Sequence, residues 1–440
     1  MGGKEMTSVA IIGGGPGGLG TAIALSQLPF LRVTLYEKNP EPREAGAGLS
    51  LSSNAWKVLD LLGASDMVKG GSKSNTHQRS AYTGKVLSIT QNPENSAEHH
   101  RGAIRARRTR LQSALLAKVP DGVIQYSKKL VSLEDLPGHG VRLLFQDQTD
   151  VVADIVVGAD GIHSIVRRHL FPDHQLSFTG NTAFRVLVPR SHLSHIPDIT
   201  PTTSWWWGEA GHVYLSDVDD ETETENPLFE ITVRSYREPE IPGETVYWGI
   251  PATNAKVASR VKTFDQRIRD AVSMVAEGEW REFATFAGPR LEKITGWDKV
   301  VLIGDASHPL SGRSKTSKSI SLWRAIHTFL GAFGSGATFA MEDGWILARA
   351  LERTRFTSHL ARDALKIFES IRSPYYNKMY QHLDESKSRT QKFQAKTEDF
   401  DAILQYKVDS FLYGDKDFIY KNDIKKVWEE FCVTEQTKEE

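Results

Sequence analysis

The stretch Ser8-Val9-Ala10-Ile11-Ile12-Gly13-Gly14-Gly15-Pro16-Gly17-Gly18 decides the fold. Its first five residues form a short apolar run rich in β-branched side chains, which reads as a buried strand, and the glycines after it permit a tight turn. An Ala/Leu/Ile-rich helical stretch follows, then a second strand from Arg32 to Glu37. Together these make a βαβ unit. Gly13, Gly15 and Gly18 satisfy G-x-G-x-x-G at the strand-to-helix turn, where backbone N–H groups approach a pyrophosphate at the helix N-terminus. Glu37 ends the second strand, 19 residues past Gly18, where a carboxylate accepts hydrogen bonds from an adenosine ribose. The unit predicts a dinucleotide site, and the motif fits NAD and FAD equally.

Working outward, Val123 to Asp160 holds three strand-like runs separated by turn residues, an antiparallel meander that returns to the main sheet. Residues 178–285 are richer in aromatics and turns, with alternating runs such as His212 to Leu215 and Phe229 to Val233. They read as a separate, mostly antiparallel lobe. Val300 to Ile303 is another buried strand and Phe339 to Leu351 a helix, so the nucleotide fold resumes after that lobe. The predicted class is α/β: a discontinuous Rossmann-like domain over residues 1–177 and 286–395, a mostly antiparallel β-sheet substrate domain over 178–285, and a helical C-terminal tail over 396–440. The tail reads as solvated surface helices.

The 440 residues carry a formal charge of −1, which removes any broad electrostatic argument for nucleic acid or an anionic membrane as partner. The single cysteine, Cys432, rules out an intrachain disulfide and a thiolate metal cluster, so redox chemistry must come from a cofactor. No run approaches a membrane span of roughly 18 apolar residues, and the first strand near Ser8 leaves no room for a signal peptide. The expected setting is the cytosol. No His/Asp/Glu cluster has metal-ligand spacing.

Two further stretches choose between the dinucleotides. Val157 to Arg167 reads VGADGIHSIVR and Val300 to Pro309 reads VVLIGDASHP. With the glycine fingerprint, in this order and spacing, they resemble the three signature motifs of the flavoprotein aromatic hydroxylases, typified by p-hydroxybenzoate and salicylate hydroxylases. The resemblance implies FAD as cofactor, with Asp305 on the flavin's ribityl or pyrophosphate groups and Asp160 between the pyrophosphate and the NAD(P)H path. It implies that Arg108, within the basic run Arg105 to Arg110, reaches the FAD instead of nucleic acid. It places Arg43 and the Ala45–Gly48 loop, Gly48 included, beside the flavin, and it aims the helix starting at Gly336 and Ala337 at the same group. By the same analogy NAD(P)H reduces FAD, O2 adds to give a flavin C4a-hydroperoxide, and this electrophile hydroxylates a small phenolic or salicylate-like ring, in a setting of fungal secondary metabolism. The single glycine fingerprint agrees with a family that binds NAD(P)H transiently, without a second nucleotide domain.

A cation beside such a ring holds a carboxylate or stabilises a phenolate. Arg185, where the chain enters the second lobe, matches a functional Arg of related fungal phenol hydroxylases; the competing reading pairs it with a sheet carboxylate. Tyr214 is a candidate hydrogen-bond partner for the substrate oxygen, against the alternative of plain packing. Trp205, Trp206 and Trp207 alternate across a strand, so at most one face of them lines a pocket. His308 reads as positional and not as a general base.

The chain departs from the family pattern after Gly312. Arg313 to Leu330, RSKTSKSISLWRAIHTFL, separates two halves of what is one glycine-rich loop in relatives. A structureless insertion is unexpected in a compact domain, and its 18 codons fit a retained intron, against the alternative of a genuine surface excursion. Two other functions stay open: a polyene or polyketide epoxidase of the same superfamily, and a redox-silent flavin-binding protein if the insertion displaces the flavin loop.

Overall fold

The computed structural model describes residues 6–42, 47–92, 102–209, 211–236, 248–308, 335–394, 399–412 and 416–439. β1 (Thr7–Ile12), α1 (Pro16–Ser26) and β2 (Leu31–Tyr36) form the βαβ unit, with β1 and β2 parallel. β3 (Gly48–Leu51), α2 (Ser53–Leu61), β4 (Thr76–Ser80), β5 (Val86–Thr90), β6 (Ile104–Arg107) and α3 (Arg108–Leu116) follow. The short β7 (Ile124–Gln125) leads into β8 (Leu130–Leu136), β9 (Gly140–Phe145) and β10 (Asp150–Ala153), the antiparallel meander, and β11 (Ile155–Gly158) returns the chain to β1. After α4 (Ile165–Leu170) come β12 (Ser177–Pro189), β13 (Thr203–Trp207), β14 (Gly211–Asp217), β15 (Leu228–Tyr236) and β16 (Trp248–Pro251). Helices α5 (Asn254–Val261) and α6 (Gln266–Ser273) precede β17 (Arg281–Ala287), β18 (Thr295–Gly296) and β19 (Val300–Leu302). Five helices close the described chain: α7 (Gly336–Arg353), α8 (Leu360–Gln394), α9 (Phe400–Leu412), α10 (Asp417–Tyr420) and α11 (Ile424–Glu439).

The main sheet runs β18-β19-β11-β1-β2-β7 and is parallel apart from the β18 edge. Both of its faces are covered, which is why β1 reads as an uninterrupted apolar run. Val9 and Ile11 face the helical core, whereas Ala10 and Ile12 face the core beneath the meander. Helix α1 is buried from Pro16 to Leu25 because α7 packs on it at backbone distance. A Cβ on Gly17 would lie 2.7 Å from Ala340 Cβ, and one on Gly344 2.1 Å from Thr21 Oγ1.

The second sheet runs β16-β17-β12-β15-β14-β13-β4-β5, antiparallel except where β13 pairs with β4. Two of its strands therefore come from residues 76–90, outside the 178–285 stretch. One face buries Phe184, Val186, Trp206, Val213, Phe229 and Ile231 against α5 and α6; the alternate residues face the first domain.

The expected solvated tail needs correction. Leu404 and Val408 of α9 pack against Trp207, Ile419 of α10 joins a cluster with Phe339 and Tyr376, and Ile424 enters the main core. A few apolar residues on otherwise polar helices suffice to dock them. No described helix is long and apolar enough to cross a membrane.

Candidate active site

One cavity of about 1600 Å³ runs from the N-terminus of α1, past the start of α7, to the inner face of the eight-stranded sheet. Pockets for one small ligand usually span roughly 300–1,000 Å³, so this one has room for a dinucleotide and a second molecule. Gly13, Gly15, Glu37, Gly48, Arg108, Asp160, Arg185, Tyr214, Asp305, Gly336 and Ala337 all line it. Gly18 sits one layer behind. Arg43 lies outside the described residues, as do Ala45, Gly46, Pro309 and the Arg313–Leu330 segment.

At the α1 end, Gly13 has φ +107° and a Cβ on Gly18 would lie 1.9 Å from the Gly13 carbonyl oxygen, so the turn closes only with glycine at both positions. Gly15 caps α1 without a side-chain hydrogen bond, and nothing lies within 4 Å of where its Cβ would be. The helix therefore opens its first-turn N–H groups onto empty cavity, with no acidic residue in that turn. The Glu37 carboxylate accepts the Gly14 N–H at 2.7 Å and the Asn39 N–H at 2.9 Å, which fixes it at the strand end.

Two more segments are stapled beside it. Asp160 Oδ2 accepts the N–H groups of Ile165 (2.6 Å) and Val166 (3.2 Å) at the start of α4, while its Oδ1 is buried with no hydrogen-bond partner. Buried Arg167 donates to the carbonyls of Asp305 (3.1 Å) and Ala306 (2.9 Å) and to that of Ile162. Gly304, at φ +55°, turns the chain so that Asp305 opens into the cavity, and its N–H is held at 2.9 Å by Asp343 Oδ2. Asp343 Oδ1 in turn accepts Arg372 Nε at 2.6 Å and the Tyr376 hydroxyl at 2.7 Å. The Tyr376 ring stacks on His308 with centroids 3.3 Å apart. Burial pushes the His308 imidazole down to about 3, which keeps it neutral and suits a positional role.

The basic run 105–110 resolves residue by residue. In β6, Ile104 and Ala106 enter the core while Arg105 and Arg107 reach across to the second sheet. Arg105 pairs with Glu230 of β15. Arg107 and Arg110 both grip buried Asp219, at 2.7 and 2.8 Å. Arg108, at the first turn of α3, faces the cavity, and its charge acts on Asp305. The helix thus begins within the basic run itself.

At the far end, Arg185 of β12 makes no hydrogen bond or ion pair among the described residues, and its Nε is buried without a partner. Its guanidinium lies 5.8 Å from the Phe283 ring centroid. Desolvation lowers its pKa, with Glu230 opposing that shift and Arg105 adding to it. The pairing with a sheet carboxylate that competed for Arg185 falls to Arg105 instead. Tyr214 is buried on the same wall, its ring 4.6 Å from Trp205 and 5.0 Å from the Arg105 guanidinium; burial pushes its phenol up. Trp205 lines the cavity, Trp206 points into the core behind, and Trp207 stacks on Trp205 at 5.3 Å under α9.

Residues 6–312 match the family model described as an FAD binding domain. The chain belongs to the FAD-dependent aromatic monooxygenases. The 3-amino-4-hydroxybenzoate 2-monooxygenase PtmB3 of Streptomyces platensis is 28% identical over 373 residues, covering 83% of this chain and 84% of the relative. Salicylate hydroxylase of Pseudomonas putida is 25% identical over 394 residues, covering 83% and 82%. The crystal structure of CtdE in complex with FAD and substrate superposes with a TM-score of 0.77 at 18% identity, over 99% of this chain and all of that one, a likeness of fold.

The monooxygenase cavity fits FAD on its own geometry. The open cradle before Gly15, the orphaned Asp160 oxygen, Glu37 and the first turn of α7 at Gly336 and Ala337 supply donors and acceptors where a pyrophosphate and its flanking hydroxyls need them. Sequence reasoning missed Arg105, Glu230, Arg234 and His212 of the substrate wall, which all line the cavity. A signal was present in FEITVR, residues 229–234, where Glu230, Thr232 and Arg234 alternate with apolar residues on a strand that is buried on both faces. Charges on such a strand must face a partner or a ligand.

Proposed function

We propose that this monooxygenase hydroxylates a small phenolic or salicylate-like aromatic acid, using NAD(P)H and O2. When bound, FAD supplies two-electron transfer from NAD(P)H to O2 and delivery of one oxygen atom to the ring. The observation that carries the reading is Arg185: a half-buried guanidinium with no ion pair among the described residues and its Nε buried without a partner, facing an aromatic wall inside the same cavity as the flavin cradle. A cation held that way accepts a carboxylate or phenolate, and stabilising the phenolate raises electron density on the ring carbon to be attacked. Tyr214 donates its hydroxyl to a substrate oxygen, since burial keeps the phenol protonated. Trp205 and Phe283 flank the ring and exclude water.

The cavity mouth supports NAD(P)H as the electron donor. Lys38, His163 and Arg168 line it; the His163 ring packs edge-on against Phe286, and that partial desolvation, then Arg167, Lys38 and Arg168, holds its imidazole low. Such a patch suits a transiently bound pyrophosphate. Relatives named for 3-amino-4-hydroxybenzoate and salicylate lend the substrate class. The test is to load purified protein with FAD and screen hydroxybenzoates for stimulated NAD(P)H consumption, with oxygenated product read by mass spectrometry. A panel that neither stimulates consumption nor gains oxygen defeats the proposal.

A further inference from the structure

Glu230 is the one acid lining the substrate end among the described residues; the other lining acids, Glu37, Glu41, Asp160 and Asp305, lie with the dinucleotide motifs. It is 3% exposed and its oxygens are divided between the two halves of the molecule. Oε2 accepts the Gly48 N–H at 3.1 Å, 182 residues away, together with the Arg105 guanidinium. Oε1 accepts the Thr232 hydroxyl at 2.9 Å. Gly48 starts β3, the strand beside the flavin cradle, and a Cβ there would fall 2.6 Å from Glu230 Oε2 and 2.5 Å from Arg105. The contact is therefore carboxylate to bare backbone. Arg105 extends the same link, donating to Ser50 of β3 at 3.0 Å.

Among the described residues, Arg105, Arg185 and Arg234 line this end together with Glu230, its one lining acid. After burial, Arg185 and Arg234 are each shifted by cationic neighbours and by Glu230 in the opposite sense. An anion arriving at Arg185 relieves its repulsion with Arg105 and is itself repelled by Glu230, which Arg105, Thr232 and the β3 backbone hold in place.

We propose that Glu230 is a positioning and specificity residue, whose carboxylate tethers β3 to the substrate sheet and sets how strongly the arginine cluster draws an anionic substrate. The inference rests on the aromatic-acid reading above. In Glu230→Gln the amide oxygen still accepts from Gly48, but the opposing charge is gone. In Arg105→Gln a cation is removed and Glu230 stands less opposed. The two substitutions therefore act in opposite directions on anions.

The experiment titrates FAD-loaded wild type, Glu230→Gln and Arg105→Gln with benzoate and with phenol, following the flavin absorbance change, and measures FAD affinity by flavin fluorescence. Benzoate should bind about tenfold tighter to Glu230→Gln and about tenfold weaker to Arg105→Gln, the scale of one charge in a partly screened site, with phenol nearly unchanged. FAD affinity should fall severalfold in Arg105→Gln, where the link to Ser50 of β3 is lost, and less in Glu230→Gln, where the Gly48 contact is kept. If Glu230→Gln does not fold, the Arg105→Gln titration with both ligands decides alone. Unchanged benzoate affinity, or a shift shared equally by phenol, overturns the proposal. A wild type that binds FAD but no aromatic acid overturns the functional reading itself, and this inference with it.

Discussion

Arg185 and His308 illustrate how differently two buried cations-in-waiting behave at the residue scale. Arg185 makes no ion pair among the described residues and meets only the Phe283 ring and the more distant charge of Glu230, so an anionic ligand adds the direct partner it lacks. Arg185→Ala should leave FAD bound while product formation falls ~100-fold, in the range found on removing one charge-stabilising donor; unchanged turnover would remove Arg185 from the reaction. His308 is instead kept neutral, its pKa down to about 3 against 6.5 when unfolded. Between those values the unfolded chain takes up a proton that the folded chain refuses, so stability contributed at neutral pH is lost as pH falls below 6.5. The loss reaches ~3 kcal/mol near pH 4. His308→Phe retains the stack on Tyr376, so its melting temperature should decline less than that of wild type between pH 6.5 and 4. The glycine fingerprint, Glu37 and Asp305 were legible in the sequence because each acts through a local turn. The alternation in residues 229–234 marks Glu230 as facing a partner but does not name it, because Gly48 and Arg105 are 182 and 125 residues distant and no local pattern reports a pairing of that span.

Among elements, the Gly304–Asp305 turn at the cavity is held from behind. Gly304 is positioned by Asp343 of α7, and Asp343 by Arg372 and Tyr376 of α8, all almost fully buried. Removing one partner of a buried ion pair costs ~3–5 kcal/mol because the other charge stays uncompensated. Arg372→Met should therefore lower the denaturation midpoint strongly, and the protein that remains folded should bind FAD more weakly by fluorescence titration. The G-D motif itself was readable, yet its support was not, since Asp343 looks like any helix acid until α8 is placed against it. The Arg313–Leu330 segment is a separate element-scale matter: we propose that it interrupts the loop leading into α7. Deletion of those 18 residues should tighten FAD binding relative to the full chain. Peptides of the native protein that contain Trp323 would show the segment to be translated and end the retained-intron reading.

For the whole molecule, the substrate wall is a layered assembly to which the last helices belong. The eight-stranded sheet takes β4 and β5 from a part of the chain that reads, by sequence position, as nucleotide domain. That recruitment follows from β13 pairing in parallel with β4, a long-range choice that alternation within either strand does not specify. Behind this edge, α9 presses Leu404 and Val408 onto Trp207, and Trp207 stacks on Trp205 at the cavity. The tail thus supports the proposed substrate wall from behind through α9, while its Lys416, Tyr420 and Lys421 line the same cavity. Leu404→Ala should cost ~2–4 kcal/mol, as deletion of a buried leucine side chain does. The expected signature is selective: a lower denaturation midpoint and a raised KM for the aromatic substrate, with FAD affinity unchanged, because α9 contacts the substrate sheet and not the flavin cradle. An equal loss in FAD affinity would mean that the two ends of the cavity are mechanically one body, and would move α9 from a support of the substrate wall to a support of the whole fold.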